Sequence, residues 1–276
     1  MAGRVLTYEE KNTWIHRLSG VTKLVFFLLW SITSMLSYDT RVLIVMFVLS
    51  LVILRASQTK WKQVGGVFQF ILIFLIINIL AIFLFSPDQG TTIYGTRTVL
   101  CHIAGPYDLT LEQLFYEANI ILKYLTVVPA VFMFIVTTNP SELAASLNKI
   151  GVSYDICYSI AIALRYIPDV QDDYHKIRNA QEARGIEMSK KASLTERIKS
   201  TSAILFPLIF SSMDRIDVVS NAMQLRGFGK TKKRTWYSAK KPERNDYLVL
   251  GFIILFSAIA LIITFHDGNR FYNPFQ

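Results

Sequence analysis

Five apolar blocks constrain this chain more than any other feature of its sequence. The first covers residues 24 to about 38 and is followed by a polar break at 39–41. The second, 42–54, stops at Arg55. Each is shorter than the roughly 20 residues that a helix needs to cross hydrocarbon. Together they read as a tight helical hairpin whose ends are completed by Trp, Tyr and snorkelling Arg or Lys. The third block, 67–85, is the clearest span, with Asn78 its notable polar interior residue, suited to a bond between helices. The fourth covers 118 to about 136, interrupted by Lys123 and Pro129, and the last, 247–265, contains no charge. The chain opens with the polar run MAGRVLTYEEKNTWIHRL, unlike a signal peptide, so the first block is expected to remain as a span. The expected fold class is all-α: about five membrane helices, with a long helical segment between the fourth and the fifth.

That segment explains the composition. The formal charge is +9, which suits nucleic acid, anionic lipid or an acidic protein. Residues 176–244 hold 16 of the 29 Lys and Arg, against 6 Asp and Glu, whereas the polar loop 86–116 has only Arg97. The positive-inside rule places the basic segment in the cytoplasm. Five spans then put the N-terminus and the 55–62 turn inside, and the loop holding Cys101 outside. Cys101 and Cys157 fall on opposite sides, so no disulfide is expected. The organisation read from this is 1–137, N-terminal membrane helices; 138–246, amphipathic and cytoplasmic helices; 247–276, the last membrane helix and a tail. The turn residues Pro87, Asp88, Gly90, Gly105 and Pro106 mark 86–116 as a loop, and the apolar stretch 156–167 carries Arg165 and ends at Pro168.

Within the basic segment a short motif occurs twice. NAQEARGI at 179–186 and NAMQLRGF at 221–228 share four of eight positions, 42 residues apart. Each closes a helical pattern, 170–183 and 209–225, free of Pro and Gly. Gly after a helix takes the left-handed conformation that ends it. Arg in the last turn faces the negative end of the helix dipole, and its planar fork can bind a carboxylate or carbonyls bidentately. Ala183 lets the tip enter a groove closely. One copy alone is an ordinary basic helix cap; two copies suit a partner with two similar sockets, as a two-fold dimer offers.

Other constellations carry less. Gly229-Lys230-Thr231 resembles the end of a phosphate-binding loop, but Gln224 stands where that motif needs Gly, and a helix precedes it. A nucleotide site on this chain is therefore not expected. Cys101-His102 has no second pair at ligand spacing, so no metal is expected. Asp172-Asp173 reads as an acidic helix start. Arg165 in its apolar run either snorkels to the interface or forms a structural ion pair with Glu142 or an aspartate at 169–173. An acid–base cluster for lipid chemistry is not found, nor a polar cluster inside the spans, which suits a scaffold better than a permease with its own substrate site.

The order of several pieces resembles the transmembrane T component of energy-coupling factor (ECF) transporters, the family that includes the cobalt-transport Q subunits. They are HRL at 16–18 and TKL at 22–24, TTNPSEL at 137–143, ALRYIP at 163–168, AQEARG at 180–185, RGF at 226–228, RT at 234–235, and Asp246. The resemblance implies a multi-pass protein of a bacterial or archaeal plasma membrane, with a cytoplasmic coupling segment. Its implied partners are two cytoplasmic ATPase subunits, identical or homologous, a small substrate-binding membrane subunit and the bilayer, with no nucleic acid. ATP and Mg would sit on the ATPases, with no cofactor on this chain, which would be non-catalytic. The cargo would be a vitamin, metal ion or other micronutrient. Two Ala-Arg-Gly tips would dock into the ATPases: Ala183, Arg184 and Gly185 match, while Leu225 departs from the pattern before Arg226 and Gly227. The competing reading is a membrane-anchored protein whose basic segment binds anionic lipid or another acidic partner.

Overall fold

The computed structural model describes residues 11–104, 107–186, 194–230, 235–266 and 271–275. The first ten residues, Gly105, Pro106, Thr231 and Arg234, which entered the sequence reading, lie outside them. Ten helices and one hairpin follow in order among the described residues: α1 (Trp14–Arg17), α2 (Gly20–Leu36), α3 (Thr40–Ala56), α4 (Trp61–Phe85), α5 (Gln89–Tyr94), β1 (Val99–Ala104), β2 (Tyr107–Thr110), α6 (Leu111–Thr137), α7 (Pro140–Lys149), α8 (Tyr154–Ala183), α9 (Leu194–Leu225) and α10 (Arg244–Phe265). The protein is an all-α polytopic membrane protein. It divides into two compact units, Met1–Ser146 with Ala239–Gln276, and Leu147–Ser238.

In the first unit, α4, α6 and α10 are long and apolar enough to cross a membrane, and α2 is a shorter apolar helix. α2 and α3 have 17 residues each, about 25 Å at 1.5 Å per residue. Polar caps start both: Ser19 Oγ accepts from Thr22 N, and Asp39 Oδ1 accepts from Arg41 N at 2.9 Å. The tight hairpin expected of them does not form: α2 packs on α6 and α10 and α3 packs on α6, rather than on each other. α6 is the hub, packing on α2, α3, α4 and α5. Of its apolar window 56% is buried within the chain, against 6% for α4, so α4 turns most of its surface outward. The core centres on Trp30, stacked between Phe26 and Phe256 and packed with Met46, Met133 and Ile253.

Two buried lysines cap neighbouring helices. Lys23 Nζ donates to Thr137 O, at the end of α6, at 2.8 Å and to His16 O at 3.3 Å. Lys123 Nζ donates to Met35 O, at the end of α2, at 2.9 Å and sits 3.0 Å from the Tyr38 ring centroid. Each cation thereby meets the negative end of a helix and occupies carbonyls that the helix leaves open. Asp246 does the converse at helix starts. Its carboxylate accepts from Ser19 N at 2.8 Å and Glu243 N at 2.7 Å, joining the beginnings of α2 and α10. Gly20 permits the approach of α7, since a Cβ there would lie 2.5 Å from Ser146 Oγ and 2.6 Å from Glu142 Cγ.

The segment expected as a plain loop contains an antiparallel hairpin that pairs Cys101 with Leu109 and His102 with Asp108. Asp108 pins it, bonded to His102 and ion-paired to Arg97 at 2.7 Å. Those two groups, His102 first, hold its carboxyl below the usual carboxylate range. Past α10, residues 271–275 return to the unit: Phe271 pairs with Tyr38, and Asn273 Nδ2 donates to Tyr94 O at 3.0 Å.

In the second unit α8 and α9 pack together. The apolar stretch read from the sequence ends at Pro168, yet α8 runs through it, and α9 runs through Pro207. A proline removes its own N–H bond and crowds the carbonyl four residues back. Both helices nevertheless continue through the proline.

Candidate functional site

Both copies of the duplicated motif fold into the same helix ending. In the first, Gly185 has φ +83°, Gly185 N donates to Glu182 O at 3.0 Å, and Ile186 N donates to Gln181 O at 3.1 Å. In the second, Gly227 has φ +70°, Gly227 N donates to Gln224 O at 2.9 Å, and Phe228 N donates to Met223 O at 3.0 Å. This crossed pair of bonds is the Schellman motif, which closes the last carbonyls with a glycine in the left-handed region. Arg184 and Arg226 occupy the residue just before that glycine. Both are exposed, and neither has an ion pair among the described residues. Ala183 and Leu225, the last helical residues, are exposed too. The sequence thus builds two rigid ends that each present one guanidinium to solvent beside a helix C-terminus.

The two ends are anchored differently. Past the second, Phe228 packs on Tyr158 at 4.7 Å and Tyr154 at 6.0 Å between centroids, and Trp236 joins them while donating from Nε1 to Asn148 Oδ1 at 3.1 Å. The first is tied to α9 by Gln181, whose Nε2 donates to Ala203 O at 3.1 Å. Ala203 is four residues before Pro207, so the proline frees the carbonyl that Gln181 takes. Midway, Arg215 bridges the helices, with Nη2 2.5 Å from Asp173 and Nη1 3.8 Å from Asp169.

These contacts fix the spacing. Tyr158 on the second turn of α8 meets Phe228, Asp173 meets Arg215 and Gln181 meets Ala203, so the helices run antiparallel. The second tip stands beside Tyr158 and the first closes α8 some seven turns further on. At 1.5 Å per residue the tips are about 40 Å apart along α8. Between them lies an apolar groove of about 330 Å³, lined by Ile162, Tyr166, Val170, Ile216, Val219 and Met223.

For Arg165 the sequence leaves two readings, snorkelling to the interface or a structural ion pair. Glu142 has Lys240 as its ion-pair partner at 3.7 Å, and Asp169 and Asp173 are engaged by Arg215. Arg165 itself is exposed on α8 with no ion pair among the described residues. Sequence reading missed Arg215, because its partner aspartates stand more than 40 residues away. It also missed Gln181, for which Pro207 was the available signal.

The profile of the cobalt transport protein family CbiQ matches residues 11–237, which include both tips. An energy-coupling factor transporter transmembrane protein EcfT of Leuconostoc gelidum subsp. gasicomitatum is 28% identical over 275 residues, covering 94% of this chain and 96% of the relative. Proteins of the same description from Macrococcus caseolyticus and Staphylococcus aureus are each 26% identical, covering 91% and 94% of this chain and 94% and 96% of the relatives.

Proposed function

The chain belongs to the CbiQ family, the transmembrane components of ECF transporters, and from that premise we propose that it couples two cytoplasmic ATPase subunits to a small substrate-binding membrane subunit. The observation that carries this reading is the pair of identically closed arginine tips, exposed and unpaired among the described residues, on two helices that brace each other. Each guanidinium can enter a groove and bind a carboxylate or backbone carbonyls bidentately, a pairing that survives solvent best when the groove buries it. Two such tips about 40 Å apart suit a dimer with one groove per subunit.

Movement follows from the same geometry. The tips cannot shift independently, because Arg215, Gln181 and the aromatic cluster tie α8 to α9 along their length. Opening or closing of an ATPase dimer would therefore tilt the pair as levers. The groove between the helices and the exposed apolar stripe on α9 (Phe206, Ile209, Phe210, Met213) offer a surface for a membrane subunit. The basic segment would face the cytoplasm, and ATP with its magnesium would stay on the ATPases while this chain does no hydrolysis.

Arg184→Ala combined with Arg226→Ala tests the reading. Each lost charge-assisted contact is worth about 1.5–3 kcal/mol, so the double variant should lose uptake and ATPase co-purification while remaining in the membrane at normal level. Normal uptake together with normal co-purification would refute it. A basic segment that instead bound lipid would release with rising salt, whereas seated tips hold.

A further inference from the structure

The two tips share a backbone and differ in one residue of the presented surface. Ala183 precedes Arg184; Leu225 precedes Arg226. Leu225 is 89% exposed, the most exposed large aliphatic side chain among the described residues. Its exposure is not a by-product of a loose end. The tip is closed by its Schellman bonds, and Phe228, three residues on, is packed into the aromatic cluster on α8. Leu225 thus contributes nothing to holding α9 in place, while the residues around it do.

A single exposed Leu is ordinary on a protein surface. This one is set apart by its place, since it is adjacent to an exposed arginine that has no ion pair among the described residues, at the position where the other copy of the motif carries only a methyl group. Arginine is enriched among the residues that carry interface energy, and neighbouring contacts that exclude water strengthen its charged pairing; a large apolar side chain beside it that fills a recess would do this. We infer that Leu225 is the apolar anchor of the second tip, and that the ATPase groove receiving it has a hydrophobic recess beside the acidic or carbonyl acceptor of Arg226. This rests on the coupling reading and adds the chemistry of one socket to it. The first tip, with Ala183, needs no such recess.

The test uses the full chain in lipid nanodiscs and the purified ATPase subunits of the same transporter, on an Arg184→Ala background so that binding reports the second tip alone. Leu225→Ala removes about two to three methylene equivalents of buried surface and should weaken binding tenfold to fiftyfold. Leu225→Met should stay within threefold, because it fills the same volume without polarity. Leu225→Asn, similar in size but polar, should weaken binding at least as much as Ala. Melting temperatures of all three should match the parent, since the side chain is exposed in the chain alone. If Leu225→Ala and Leu225→Asn bind within twofold of the parent while Arg226→Ala abolishes binding, the recess is wrong and the coupling reading stands. If the chain lacking both arginines binds the ATPases like wild type, the coupling reading itself fails.

Discussion

Replacing the two closing glycines tests whether the tips are preformed. Gly185 and Gly227 have φ of +83° and +70°, where an L-residue with a Cβ costs about 1–2 kcal/mol. Space does not add to this cost. A Cβ on Gly185 meets nothing within 4 Å, and one on Gly227 meets only Lys230, its nearest atom Cδ at 3.4 Å, an ordinary contact. Gly185→Ala and Gly227→Ala should therefore shift the local opening of each tip by that conformational term alone, a factor of about 5–30. Asn tolerates the left-handed region, so Gly185→Asn should shift it less. The assay is amide exchange at Ile186 and Phe228, whose N–H groups donate the long bonds of the two motifs at 3.1 and 3.0 Å. Exchange at Ile186 should quicken about 5- to 30-fold in Gly185→Ala, less in Gly185→Asn, and leave Phe228 unchanged; Gly227→Ala should do the reverse. Less than a twofold change in either Ala variant, or Asn disturbing Ile186 more than Ala, would refute the argument that the closed tip is held by a left-handed glycine.

Three further outcomes follow from other contacts. Lys23 is 1% exposed and donates to two carbonyls, so Lys23→Met should cost about 2–4 kcal/mol and lower the melting temperature by about 5–15 °C; a change under 2 °C would contradict its capping role. Gln181→Met makes the first motif match the second at that position and removes the bond to Ala203 O, which at about 1 kcal/mol should speed exchange across 179–186 about fivefold, and no change would remove Gln181 from the anchoring of the tip. The Asp108 carboxyl is held below its ordinary range by His102 and Arg97, so its support of the β1–β2 hairpin is complete above that range and is lost as pH falls through the lowered value; the protection of hairpin amides, taken relative to their intrinsic exchange rates at each pH, should fall at low pH in wild type, and a pH-independent difference from Asp108→Asn would argue against it.

Much of this architecture is legible in the chain because hydrocarbon demands long apolar runs. The α2 and α3 helices and the last span follow directly from them, whereas the packing of α2 on α6 and α10, and of α3 on α6, does not. α4 starts at Trp61, earlier than the apolar run, because Trp61, Gln63, Gly65 and Gly66 lower the local hydropathy without breaking a helix. The helix closures at Gly185 and Gly227 are readable, since glycine after a basic last turn has a specific backbone meaning. Non-local contacts are not. Lys123 reads as an interruption of a span, and its acceptor, Met35 O, is 88 residues away. Lys23 likewise finds Thr137 O across 114 residues. The Arg215 bridge and the Gln181 bond depend on the register of α8 against α9, which no local pattern encodes.

A photo-crosslinking amino acid at position 183 or 225 of the full chain, assembled with its transporter partners in native membranes, reports directly on what each tip touches. Adducts to ATPase subunits are expected from both positions, lost in each case when the neighbouring arginine, Arg184 or Arg226, is changed to Ala. Adducts to lipid alone, or adducts to ATPase that persist without the arginines, would contradict the claim that two arginine-tipped helices carry the coupling.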